Sequence, residues 1–281
     1  MVLMLTYDAL PANETTLEAT MALKGKTALV TGSTSGIGLA IAHVLAGQGC
    51  NIMLNGMGDK ATIDGIIAEL PKKYGIKTAY SGADMSKPAE IRKMITDTEA
   101  QFGGIDILVN NAGIQFTAPV EEFPDDKWDA IISINLSAAF HAIKAAVPGM
   151  RKRKFGRIIN IASAHGLVAS EHKVAYVSAK HGIVGMTKVV ALETAEAGLT
   201  CNAICPGWVH TPLVQKQIED NAKKAGISVE KATADLLGEK QPNKKFVRPE
   251  SIGNLIAFLA DDFGSEMTGE IISIDGGWTA Q

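Results

Sequence analysis

Cysteine, aromatic residues and long apolar runs are all scarce in this chain. Three cysteines in 281 residues, Cys50, Cys201 and Cys205, are too few and too odd in number for a disulfide framework. Each sits in an apolar, strand-like stretch, and Cys201 and Cys205 lack the partners a zinc site needs. The expectation is buried free thiols and no metal. Aromatics make up only 5% of the chain. The net charge is −3, and the one dense basic cluster, Arg151-Lys-Arg-Lys154, falls in a turn. Nucleic-acid binding is therefore excluded as an expectation. No apolar run reaches the roughly 18 to 20 residues that span a bilayer, so no membrane partner is expected. Residues 1 to 20 contain no Lys or Arg, and their apolar start, Val2 to Leu5, is shorter than a signal h-region. They read as a disordered, dispensable extension to a cytoplasmic domain that begins at Met21.

What remains, 46% hydrophobic and 20% charged, suits one large α/β domain with a sizeable core. Strand-like runs alternate with helix-like ones from Lys26 onward, the pattern of a parallel sheet covered on both faces. Seven strands are expected: 27–31, 51–55, 77–82, 107–111, 157–163, 200–205 and 270–275. Helices are expected at 36–48, 60–74, 88–102, 125–150, 175–197 and 249–259. This is a doubly wound, Rossmann-type α/β fold. A polar insertion, 211–245, with helical stretches broken by Gly226 and Gly238, lies where a lid over the carboxyl ends of the strands belongs.

The first strand runs into Thr31-Gly-Ser-Thr-Ser-Gly-Ile-Gly38 and then a helix. Glycines there permit a tight turn and let backbone N–H groups approach a pyrophosphate at the positive end of the helix. The chemistry is expected at Ser163, Tyr176 and Lys180. On a helix, Tyr176 and Lys180 share a face one turn apart. A fixed cation at that distance is expected to lower the phenol's pKa from about 10, turning Tyr176 into an acid-base group for neutral pH. Ser163, at the end of the fifth strand, is placed to hold a substrate oxygen.

Taken together, Thr31-Gly-x-x-x-Gly-Ile-Gly38, Asn110-Asn-Ala-Gly113, Asn135, Ser163 and Tyr176-x-x-x-Lys180 resemble the short-chain dehydrogenase/reductase family from about residue 21 to the end. The resemblance implies a catalytic tetrad of Asn135, Ser163, Tyr176 and Lys180, with Asn135 ordering a water that leads to Lys180. It implies a nicotinamide cofactor held by Gly32, Ser33, Thr34, Gly36, Ile37, Gly38, Asn55, Asp84, Asn111, Ala112, Gly113, Tyr176, Lys180, Pro206 and Gly207. NAD is expected: no Arg or Lys stands at Ser33, Thr34, Asn55 or Gly56 to pair a 2′-phosphate. The acid that usually grips the ribose after the second strand is also missing, and Lys60 is the nearby cation able to alter the preference.

Within the family the chain is most similar to the subgroup acting on D-3-hydroxybutyrate, through Asn110-Asn-Ala-Gly-Ile-Gln115, Ser163-Ala-His165-Gly-Leu-Val-Ala169, Cys205-Pro-Gly-Trp208, Glu239-Lys-Gln-Pro242 and Asp275-Gly-Gly-Trp278. That implies a small hydroxy or keto acid held by Gln115, Ser163, His165, Lys173, Tyr176, Trp208, Gln217 and Trp278, in a homotetramer. Lys173, three residues before Tyr176, is expected on the same helix. The alternatives are a 3-oxoacyl thioester reductase or another short-chain alcohol dehydrogenase and, outside enzymes, a nucleotide-sensing scaffold on the same fold.

Overall fold

The computed structural model describes residues 23–280; the expectation for residues 1–20 lies outside them. Seven strands, β1 (Thr27–Val30), β2 (Asn51–Asn55), β3 (Thr78–Ser81), β4 (Ile107–Asn110), β5 (Gly156–Ile161), β6 (Leu199–Pro206) and β7 (Ile271–Ile274), form one parallel sheet in the order β3-β2-β1-β4-β5-β6-β7. The order reverses between β1 and β4, and in a doubly wound sheet that reversal opens a crevice at the carboxyl ends of the strands.

Strand alternation divides the core between the two faces. Ala28, Val30, Ile52, Leu54, Val109, Ile159 and Ile204 point to one side, where they pack with α1 (Gly36–Gly47), α2 (Lys60–Tyr74) and α9 (Pro249–Ala260). Leu29, Met53, Leu108, Ile158 and Cys201 point to the other, against α3 (Pro88–Phe102), α5 (Ala138–Arg153) and α6 (Val174–Thr194). Every residue of β5 and β6 is buried, as central strands covered on both faces require. All three cysteines are free and buried.

The helix expected at 125–150 is continuous but irregular. α4 (Asp125–Ile132) passes through a π-helical stretch, Ser133–Ser137, into α5. By length and composition Asp125–Arg153 is apolar enough to cross a membrane. Its Ala138, Ala142, Ala146 and Met150 are buried against the sheet, which makes it a core helix of this domain. Between β6 and α9 lies a helical hairpin, α7 (Pro212–Ala225) and α8 (Val229–Lys240). Gly226, in the left-handed region, ends α7, whereas Gly238 lies inside α8 and breaks nothing.

Candidate active site

One cleft of about 370 Å³ opens at the carboxyl ends of the strands. Its floor is the loop from β1 to α1. Gly32 adopts φ +63°, and a Cβ there would lie 3.0 Å from the Ala112 Cα; a Cβ at Gly38 would collide with the Gly32 carbonyl. The loop is held from behind. Thr31 Oγ1 accepts the N–H groups of Asn111 and Ala112, and the Asn111 amide donates to the carbonyls of Thr31 and Gly32. No side chain caps the start of α1 and its first turn carries no acid. Free N–H groups at the positive helix end and a floor clear of side chains fit the pyrophosphate of a dinucleotide.

The reacting end is built by the end of β5 and by α6. Ser163 leaves β5 in extended backbone, its Oγ accepting from the His165 N–H at 3.1 Å. Tyr176 and Lys180 share the face of α6 that looks into the cleft, with the Lys180 Nζ 5.6 Å from the centre of the Tyr176 ring. Lys180 is almost wholly buried and donates to the Ile161 carbonyl at 2.7 Å. Burial pushes its pKa down to about 8. Burial also raises the Tyr176 phenol, with the Ser163 hydroxyl drawing it partly back. The expectation that Lys180 leaves the phenol below its ordinary value is thus corrected: desolvation, which penalises the anion, wins.

Beside them, His165 is 5% exposed, hydrogen-bonded through Nε2 to Ser170 Oγ at 2.8 Å and edge-on to Tyr176 at 6.0 Å and to Trp278 at 5.0 Å. Burial, then the charge of Lys173, push it down to about 4, so it is neutral at neutral pH. Lys173 is the capping residue before α6, not a residue of the helix itself. Its ammonium lies 5.0 Å from the centre of the Trp208 ring, which is in turn 5.8 Å from Trp278. Burial lowers its pKa. Among the described residues no carboxylate comes within ion-pair distance of it.

Of the anticipated residues, Gly32, Thr34, Gly36, Ile37, Gly38, Asn111, Ala112, Gly113, Gln115, Ser163, His165, Lys173, Tyr176, Lys180, Pro206, Gly207, Trp208 and Trp278 line this cleft. Five do not. Ser33 and Asn55 are fully buried and bond to each other, and the Asn55 amide donates to the carbonyls of Ser81 and Ala83 while accepting from the Gly32 N–H. Asn55 braces the glycine loop from beneath. Asp84 is turned to the N–H and hydroxyl of Ser86. Asn135, in the π-helical stretch, spends both ends of its amide on the Ile114 backbone at 2.8 and 2.9 Å. Gln217, on α7, lies off the cleft wall. Gly56, noted in the sequence only for lacking a cation, lines the cleft together with Met57, Thr211 and Val214, which the motifs did not point to. Their position just after β2 and β6 was the available signal.

A parallel sheet with a glycine loop at its switch point, and a Ser, Tyr and Lys converging beside it, define a dinucleotide-linked oxidoreductase architecture. Residues 32–279 match the family described as enoyl-(acyl carrier protein) reductase. The chain is 59% identical to a D-beta-hydroxybutyrate dehydrogenase of Cupriavidus necator, over 92% of this chain and all of that one. It is 54% identical to the corresponding protein of Rhizobium meliloti, over 91% and 99%. The solved L-sorbose reductase of Gluconobacter frateurii, complexed with NADPH and L-sorbose, superposes with a TM-score of 0.89 at 30% identity, covering 93% of this chain and 99% of that one. The chain belongs to the short-chain dehydrogenase/reductase family.

Proposed function

We propose that the protein interconverts D-3-hydroxybutyrate and acetoacetate, using NAD. The observation that carries the substrate class is Lys173: a half-buried ammonium on the cleft wall, backed by an indole and short of a carboxylate among the described residues. A desolvated cation of this kind favours a small anionic ligand. The two hydroxybutyrate dehydrogenases similar over nearly the whole chain support the same reading.

NAD would rest on the glycine loop and the Asn111–Gly113 segment, and when bound it supplies the hydride acceptor. Tyr176 takes the proton of the substrate hydroxyl in oxidation and returns it in reduction. Ser163 steadies the same oxygen, and Lys180, fixed by the Ile161 carbonyl, sets the field around the phenol. Lys173, Gln115 and neutral His165 hold the carboxylate, with Trp208 and Trp278 excluding water around it. NAD is favoured over NADP because Thr34, Gly56 and Met57 present no cation, while Lys60 points to Asp64 in an exposed ion pair. We further read residues 211–245 as a lid, the molecule as a cytoplasmic homotetramer, and the exposed Phe140, Val189 and Leu192 of α5 and α6 as part of its contacts.

Following NADH absorbance with D-3-hydroxybutyrate, and separately with a 3-oxoacyl thioester and NADPH, tests the proposal. Efficient turnover of the acid with NAD supports it. Preference for the thioester with NADPH favours a reductase of that class, and no turnover of either favours a nucleotide-binding scaffold.

A further inference from the structure

Gln241 follows the last residue of α8 and is completely buried, yet it does not border the cleft. Its amide is nevertheless tied to what does. Oε1 accepts the backbone N–H of Trp208 at 2.8 Å, and Nε2 donates to the Lys245 carbonyl. The approach is so close that a Cβ on Gly207 would lie 2.6 Å from Oε1 and 2.9 Å from the Asp275 Cα, so only glycine fits between them. Further along the same segment, the Asn243 N–H donates to the Gly276 carbonyl at 3.1 Å, and Val247 N–H to the Trp208 carbonyl at 2.8 Å. Three pieces of chain meet at this amide: the trailing end of the α7–α8 hairpin, the exit of β6 that carries Trp208, and the turn that leads to Trp278.

We infer that Gln241 is a positioning residue for the acid-binding wall, locking the backbone of Trp208 to the end of the α7–α8 hairpin so that hairpin and indole move together. The physical reason is that a buried amide with both ends bonded leaves its partners no other acceptor or donor, so the geometry of Trp208 is fixed from behind. Lys173 rests on the Trp208 ring, and Trp278 packs beside it. Loss of the clamp therefore displaces the wall that faces the substrate carboxylate and leaves the glycine loop untouched.

For the substrate this inference rests on the function proposed above, and the test separates the two. Q241M keeps the length of the side chain and removes both polar ends. It should raise KM for D-3-hydroxybutyrate by ~10-fold or more, while KM for NAD and kcat at saturation change by less than ~3-fold. Q241E, which keeps an acceptor for the Trp208 N–H, should fall between wild type and Q241M. A folded Q241M with lowered thermal stability and unchanged KM for the acid would overturn the inference, as would equal losses for acid and NAD. If the wild-type protein does not turn over the acid, the functional reading fails first, and the clamp is judged by fluorescence. In a Trp128→Phe background only Trp208 and Trp278 report. Acrylamide should quench them more strongly in Q241M or Q241E than in the parent, and unchanged quenching in both would overturn the inference.

Discussion

Replacing Lys173 by Met removes the ammonium and keeps an unbranched stem against Trp208, so the loss measured is that of charge more than of packing. A carboxylate about 4 Å from an ammonium at an effective dielectric near 20 gains roughly 4 kcal/mol. Two observations reduce that figure. The ammonium is already partly satisfied by the face of Trp208, at 5.0 Å, a contact of about 0.5–1 kcal/mol. Burial has also lowered its pKa, so keeping the amine protonated to meet the acid takes back part of the gain. A net loss of about 2–3 kcal/mol is expected, a fall of roughly 30- to 150-fold in kcat/KM for D-3-hydroxybutyrate. The methyl ester of the same hydroxy acid keeps the reacting hydroxyl and lacks the charge, and its kcat/KM should move by less than about 3-fold. Both substrates are read by NADH absorbance in wild type and variant. Only the protonated lysine binds the acid, so the wild-type advantage of acid over ester should fade as pH rises through the lowered Lys173 pKa. Equal losses for acid and ester would refute the argument and leave Lys173 as a support for the start of α6.

Tyr176→Phe keeps the ring and removes the proton carrier, so kcat should fall at least ~10²-fold while NADH binding, followed by its fluorescence, is retained. NAD should exceed NADP by at least ~10-fold in kcat/KM, about 1.4 kcal/mol; comparable values would implicate Lys60. His165 titrates at about 4 in the fold against 6.5 ordinarily. The unfolded chain therefore binds the proton first, and stability that is complete above about pH 6.5 is lost as pH falls toward 4, by about 3 kcal/mol. His165→Asn should flatten that part of the pH dependence of chemical denaturation relative to wild type.

Periodicity carried most of the fold. Lys60–Tyr74 and Pro88–Phe102 are helices over the expected residues because each begins and ends on a local signal, Asp59 or Pro88 at the start and left-handed Gly75 or Gly103 at the end. The irregularity at Ser133–Ser137 was not legible, since a π-helical stretch depends on Asn135 finding the Ile114 backbone across the structure. The same limit applies within the site. Spacing put Tyr176 and Lys180 on one face, but nothing in Asn55 tells which way its side chain turns, and three long-range backbone partners turn it inward. Asp84 likewise answers to a local turn, through Ser86. Gln241 carries no chemical signature at all; its importance comes from which chain segments the fold stacks around it.

The acid-base pair shows how burial works against a simple charge argument. Lys180 lies over the Tyr176 ring, 5.6 Å from its centre, yet both groups are taken out of water, and each loses some tendency to carry charge: the phenol is raised, and the lysine falls to about 8. The phenol therefore keeps its proton at neutral pH. That state suits the proposed reduction, in which Tyr176 donates. Oxidation asks for the opposite, a phenolate, and Ser163 and Lys180 are the groups in place to favour it. In the proposed reaction the hydroxyl proton leaves through Tyr176, so alkaline pH is expected to promote oxidation and lower pH reduction, with no change in any contact. The Ile161 carbonyl fixes one side of this balance: it accepts from Lys180 at 2.7 Å and so holds the lysine in place over the Tyr176 ring.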